Sequence, residues 1–344
     1  KYMWSQLRAL WTFSTLYNKV ERRKEWLDVA EHIYDFVRKY GRDAEGNWVY
    51  VLSKEGKPLQ GAISIYTDGF AIYGLTEFAR ASGNVEAISI ARETFVRVQN
   101  RLHCGGSYST APHPIPAGFK AHGVAMSFAL FFFELGSYLN DPEIIQAGLA
   151  QAEQVMTLFL CPERQRLYEF ATLEDRVIDK PPGRTVVPGH ALESMWFMIH
   201  IYRQVGKPEY IRRAIDAIRW HIEYGWDTEF GGIVLARDAQ ASRWEKIADT
   251  KIWWPHTEAL YALLLAYSIS KEEWFLDWFV RVHNYTFGHY PVPQYGEWVQ
   301  NLDRQGHRLD ATIGLPVKDP FHLARSLVYT SGLLAQLAGC KNTD

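Results

Sequence analysis

The chain has 344 residues, 37 Lys+Arg against 39 Asp+Glu, a net charge of -2 and 47% hydrophobic residues. That near-neutral balance, without a dense Lys/Arg stripe, excludes nucleic acid as a partner, and the apolar content is enough for a large core. Three scattered cysteines, Cys104, Cys161 and Cys340, form neither a disulfide framework nor a zinc pair and fit a reducing compartment; no run approaches the roughly 18 apolar residues of a membrane span, so a cytoplasmic protein without membrane contact is expected.

Leu7, Leu10, Trp11, Ser14 and Tyr17 recur at helical spacing, which predicts a helix over 3–18. A second is expected over 22–39, with Trp26, Val29, Ile33, Phe36 and Val37 on its inner stripe. Turn residues and β-formers over 40–57 predict short hairpin strands. Helices follow at 68–83, 84–101, 120–138 and 141–159, with a polar Gly/Pro/Ser-rich loop over 103–116. The connection over 161–182 carries Leu167-Tyr168-Glu169-Phe170 as a strand. Helices at 189–205 and 207–223, a turn-plus-strand at 225–235, helices at 253–269 and 271–287, a second such texture at 295–306, and a last helix at 320–338 complete the chain.

The helices come in pairs joined by short turns such as Ser82-Gly83-Asn84 and Gly206-Lys207-Pro208, and long connections separate the pairs. A repeat of helical hairpins gives a solenoid or a closed ring. Eleven predicted helices, plus one expected upstream of Lys1, make six pairs. The expectation is therefore all-α: one single-domain (α/α)6 barrel over 1–344 with short β-hairpin insertions at one mouth. The inner helices would begin near 3, 68, 120, 189, 253 and 320, with their N-termini at that mouth.

Polar residues gather at those N-termini. Val187-Pro188-Gly189-His190-Ala191-Leu192-Glu193 puts a histidine in the first turn and a carboxylate three residues on, on the same face. A carboxylate that fixes an imidazole tautomer prepares a general base; a solvated His and a dipole-favouring Glu are the plain alternative. Trp254 and Glu258, four apart, share a face; His256 cannot face the cleft together with Glu258, so Glu258 is favoured and His256 is kept as a substrate contact. His322 opens the last helix, with Arg325, a substrate-binding candidate, one turn later. Asp68 and Asp319 read as helix caps, the latter supported by Pro320, though Asp68 also stands as a substrate-binding candidate. His122 reads more readily as a solvated residue than as a functional one.

Gln6-Leu7-Arg8-Ala9-Leu10-Trp11, Pro188-Gly189-His190-Ala191-Leu192-Glu193, Trp253-Trp254-Pro255-His256-Thr257-Glu258, Tyr295-Gly296-Glu297-Trp298 and Phe321-His322 resemble, in order, motifs of the N-acylglucosamine 2-epimerase family. That family also contains cellobiose 2-epimerases and mannose isomerases. The resemblance implies His190 and His322 as catalytic histidines, Arg8 as the supporting arginine, and Glu193 and Glu258 as carboxylates. It implies no catalytic metal, no cofactor for the chemistry, ATP as an allosteric activator, and a homodimer. Lys120-Ala121-His122-Gly123 departs from the family patterns, which leaves the sugar open.

Inverting C2 of an open-chain sugar needs a base on one face and an acid on the other. His190 and His322 would supply them, Arg8 would stabilise the enediolate oxygen, Glu193 would orient His190, Glu258 would orient His322 or bind sugar, and Trp254 and Trp298 would cover a sugar face. Three other readings stand beside this: a glycoside hydrolase using Asp68 with Glu258, a zinc site of His190, Glu193 and His322, and a non-catalytic ring that binds a partner protein.

Overall fold

The computed structural model describes residues 1–103, 108–240, 245–309, 313–314, 318 and 320–339. The cap expected at Asp319 and the residues Cys104 and Cys340 lie outside them. The first part of the chain forms α1 (Met3–Lys19), α2 (Lys24–Tyr40), β1 (Val51–Leu52), β2 (Pro58–Gln60), α3 (Ile65–Ser82), α4 (Val85–His103), β3 (Phe119–Ala121), α5 (His122–Leu139) and α6 (Pro142–Gln154). Then come β4 (Leu160–Cys161), β5 (Arg166–Leu167), β6 (Phe170–Thr172), α7 (Pro188–Gln204) and α8 (Pro208–Gly225). The chain ends with β7 (Lys251–Ile252), α9 (Trp253–Ser270), α10 (Glu273–His289), β8 (Pro291–Val292), β9 (Glu297–Trp298), β10 (Asn301–Leu302) and α11 (His322–Leu337). The strands pair antiparallel in twos: β1 with β2, β3 with β6, β4 with β5, β7 with β10 and β8 with β9.

The helices differ in how much of their surface is apolar, and burial follows. In α2 only Ala30, Tyr34 and Val37 are buried, one stripe at spacings of four and three. In α3 every residue from Thr67 to Ala79 is buried, and α9 is buried without a break from Pro255 to Ala266. A helix apolar all round has to lie in a core. By length and hydropathy α5 could span a bilayer, which corrects the expectation that no segment could, but 78% of it is buried inside the fold, as in a core helix.

The chain divides into two compact units. The first comprises Lys1–Ile115, Ser127–Ala152 and Asp319–Ala324. Here α1 packs on α3 without an intervening side chain: a Cβ at Gly74 would lie 2.5 Å from the Leu7 carbonyl oxygen. An aromatic ladder follows, with Trp11 stacked on Tyr73 at 5.2 Å and Tyr73 on Phe131 at 4.9 Å. The second unit comprises Pro116–Met126, Glu153–Lys318 and Arg325–Asp344. Its core is built on α7 and α9, with α8 laying its stripe Ala214, Ile215, Ala217, Ile218, His221 and Ile222 inward.

Two buried histidines tie connections to helices in the second unit. His221 Nδ1 is 2.7 Å from the Ala217 carbonyl and its Nε2 accepts the Leu167 N–H at 2.8 Å. His256 repeats this: Nδ1 is 2.8 Å from the Ile252 carbonyl and Nε2 accepts the Ile233 N–H at 2.9 Å. A carbonyl can only accept, so in both rings the proton sits on Nδ1.

Candidate active site

α7 begins where Pro188, at the first helical position, follows an extended Val187. Gly189 then lets two helix starts close up, because a Cβ there would lie 2.7 Å from the Trp254 ring and 2.8 Å from Pro255 Cβ. The His190 ring consequently rests against Trp254, with centroids 5.0 Å apart. The His190 side chain is 23% exposed, within reach of a ligand.

The carboxylate at His190 is Glu169, not Glu193. Both Glu169 oxygens are 3.1 Å from His190 Nδ1. Glu169 is buried beside β6, its N–H donating to the Thr185 carbonyl at 2.8 Å and its C=O accepting the His122 N–H at 2.9 Å. Sequence reasoning missed it. The available signal was one carboxylate inside the apolar run Leu167-Tyr168-Glu169-Phe170. His122, expected at the surface, is fully buried; its Nε2 lies 3.0 Å from Ser194 Oγ and its Nδ1 4.0 Å from Glu169. Burial lowers its pKa to about 4, which keeps it neutral.

Glu193 turns instead to the Arg325 guanidinium, which also donates to Glu258 at 2.8 Å. Trp196 Nε1 donates to the other Glu258 oxygen at 2.8 Å. Arg325, Glu193 and Glu258 are all buried, so the charges must satisfy one another. Arg325, expected as a substrate-binding residue, is a partner of these two carboxylates. The guanidinium on Glu193 also disfavours a cation there, against the zinc reading.

Two further expectations fail on burial. His256 is fully enclosed, both ring nitrogens engaged by backbone, and burial lowers its pKa to about 3. It fastens a loop and is not a substrate contact. Trp298, expected to cover a sugar face, is buried, stacked on Tyr290 at 6.0 Å and edge-on to Phe287 at 5.3 Å.

In the first unit, the Arg8 guanidinium lies over three rings, Phe70 at 4.1 Å, Trp4 at 4.7 Å and Phe321 at 4.8 Å. Phe321 also packs on Trp11 at 5.1 Å, and Thr12 Oγ1 donates to the Pro320 carbonyl at 2.8 Å. These contacts fix the chain just before His322, which is buried with 8% exposed. Asp68 is not the cap of α3, which begins at Ile65 after Ser64. It is buried and paired with Arg101 at 2.6 Å, an internal ion pair rather than a sugar ligand. Burial outweighs the Arg101 charge and raises its pKa to about 6.

The second unit thus brings together His190, Trp254 and Glu169, and separately Glu193, Glu258 and Arg325. The first unit sets Arg8 against Phe321, the neighbour of His322. A half-buried imidazole on an indole face, with its Nδ1 held by a carboxylate, is suited to proton transfer beside a flat or ring-shaped ligand.

The chain is similar to known proteins over nearly its whole length. Mouse N-acylglucosamine 2-epimerase is 28% identical over 356 aligned residues, covering 98% of this chain and 82% of that protein. A cellobiose 2-epimerase of Ruminococcus albus is 25% identical, covering 92% of this chain and 84% of that one. The crystal structure of a sugar epimerase from a ruminal bacterium superposes with a TM-score of 0.83 at 21% identity, covering 96% of this chain and 87% of that chain. The fold class is the (α/α)6 one that the rhythm of helix pairs predicted. Residues 1–326 match the family described as N-acylglucosamine 2-epimerase (GlcNAc 2-epimerase), and the chain belongs to that family of carbohydrate epimerases and isomerases.

Proposed function

We propose that the protein interconverts N-acylglucosamine and N-acylmannosamine by removing and returning the proton on C2. The observation that carries this is His190, half-buried, lying on Trp254 with a carboxylate at Nδ1. With Nδ1 held by the carboxylate, Nε2 is the nitrogen assigned as proton acceptor. In the open-chain aldehyde the C2 proton is α to a carbonyl. His190 takes it, the electron pair moves into a C1–C2 enolate, and His322 donates a proton to the opposite face of C2. Arg8 stabilises the charge on the enolate oxygen at C1. Trp254 covers one face of the sugar. An N-acyl group on C2 makes epimerisation, rather than ketose formation, the useful outcome.

The same parts acting on cellobiose or mannose would give a related 2-epimerase or an aldose–ketose isomerase, and the relatives named for cellobiose keep this second reading in view. Proton NMR of a sugar panel in deuterated water decides between them. Deuterium at C2 of N-acetylglucosamine, with N-acetylmannosamine appearing, supports the proposal; a ketose formed from mannose supports the isomerase; exchange at C2 of none of the sugars rejects both. The reading includes a cytoplasmic homodimer that needs no cofactor and is activated by ATP, so the same assay is run with and without ATP.

A further inference from the structure

Resting on this reading of the site, we propose that Glu169 is the positioning residue of the proton transfer, holding His190 in the tautomer with its proton on Nδ1 and Nε2 as the base. Both carboxylate oxygens lie 3.1 Å from Nδ1. At that distance an unprotonated Nδ1 would set a lone pair against a carboxylate, so the proton belongs on Nδ1. Glu169 is 5% exposed, and little water screens the interaction.

The carboxylate is delivered by a different element from the histidine it serves. β3 and β6 pair from Phe119–Thr172 to Ala121–Phe170, and the His122 N–H to Glu169 C=O bond extends that ladder by one step. The Glu169 N–H is held from the other side by Thr185. Neighbouring backbone thus fixes the carboxylate whatever α7 does. Behind it stands His122, whose Nδ1 makes no hydrogen bond among the described residues and faces Glu169 at 4.0 Å. On its other side His122 Nε2 lies 3.0 Å from Oγ of Ser194, one turn after His190 on α7.

In the reaction the C2–H bond breaks, an Nε2–H bond forms on His190, and the electron pair stays in the C1–C2 enolate. The resulting imidazolium lies against the Glu169 carboxylate, which stabilises it without taking the proton.

The test is ¹⁵N NMR of the histidine-labelled protein, with His190 identified by the signal lost in His190→Gln, alongside kinetics of C2 exchange. In the wild type, His190 is expected with Nδ1 protonated and Nε2 bare. Glu169→Gln, which can donate as well as accept, should mix the tautomers and lower kcat by about 10²–10⁴-fold with KM within about threefold. Glu169→Asp should recover at least part of kcat. An Nε2-protonated His190 in the wild type, or Glu169→Gln with unchanged tautomer and kcat, overturns the proposal. So does a rise in KM alone, which would make Glu169 a substrate contact. Should the Gln variant fail to fold, the wild-type tautomer decides. Wild-type protein with the expected tautomer but no C2 exchange on any sugar overturns the functional reading and leaves the tautomer assignment standing.

Discussion

At His190 the identity of the neighbouring carboxylate depends on where side chains turn, and spacing along one helix cannot supply that. Glu193 is three residues from His190 and shares its helix face, yet it meets Arg325, while Glu169 arrives from just before β6. A cation buried on another helix outbid the local pairing, because a buried carboxylate without compensation is costly. His190 and Trp254 were legible from the sequence because helix starts concentrate polar groups at predictable positions. Replacing His190 with Gln should lower C2 exchange by about 10²–10⁴-fold while leaving the thermal midpoint near that of the wild type, checked by NMR exchange and calorimetry. Replacing Arg325 with Met should strand Glu193 and Glu258 and cost about 3–5 kcal/mol in urea denaturation. An unchanged urea midpoint would show that the triad is not a structural unit.

The helices themselves were readable to within a few residues, since each carries an apolar stripe or an apolar surface over about four turns. The helix predicted over 189–205 runs from Pro188 to Gln204, and that predicted over 253–269 runs from Trp253 to Ser270. Strands such as β7 and β8 have only two residues and leave no alternation to detect. The region over 225–235, expected as a turn-plus-strand, contributes the single bridge between Trp226 and Ile233 and is fastened through His256. The close approach of α7 and α9 rests on Gly189. A methyl group there meets the Trp254 ring and Pro255, neither of which is a flexible side-chain end. Gly189→Ala should therefore cost about 1–3 kcal/mol by urea denaturation and lower kcat roughly tenfold or more by displacing His190 from Trp254. A variant as stable and active as the wild type would mean that the two helix starts can separate freely.

Over the whole molecule, buried titratable groups set the pH response. Burial lowers the pKa of His122 and His221 to about 4 and of His256 to about 3, below the ordinary value of 6.5. The unfolded chain then binds more protons than the folded one between those values and 6.5, so stability is complete above about pH 6.5 and falls as the pH is lowered toward 4. Asp68 works the other way: with its pKa raised to about 6 from 3.8, the folded state holds the extra proton and stability falls as pH rises between those values. Burial also raises the carboxyls of Glu134 and Asp216, which act in the same direction as Asp68. The histidine contribution is therefore read by comparison with His221→Asn: from pH 5 to pH 7 the urea midpoint of the wild type should rise relative to that of the variant. An identical pH dependence of the two proteins would contradict the burial of that ring.

In the proposed reaction the histidines assigned to the two half-steps come from distant sequence positions, 190 and 322. The most direct measurement is C2–H exchange in deuterated water, started separately from N-acetylglucosamine and from N-acetylmannosamine, with His190→Asn and His322→Asn. With one base for each face, the wild type exchanges both epimers, while each variant loses exchange of a different epimer by about 10²–10⁴-fold and largely keeps the other. Variants that slow both epimers equally, or neither, would contradict the assignment of one histidine to each face of C2.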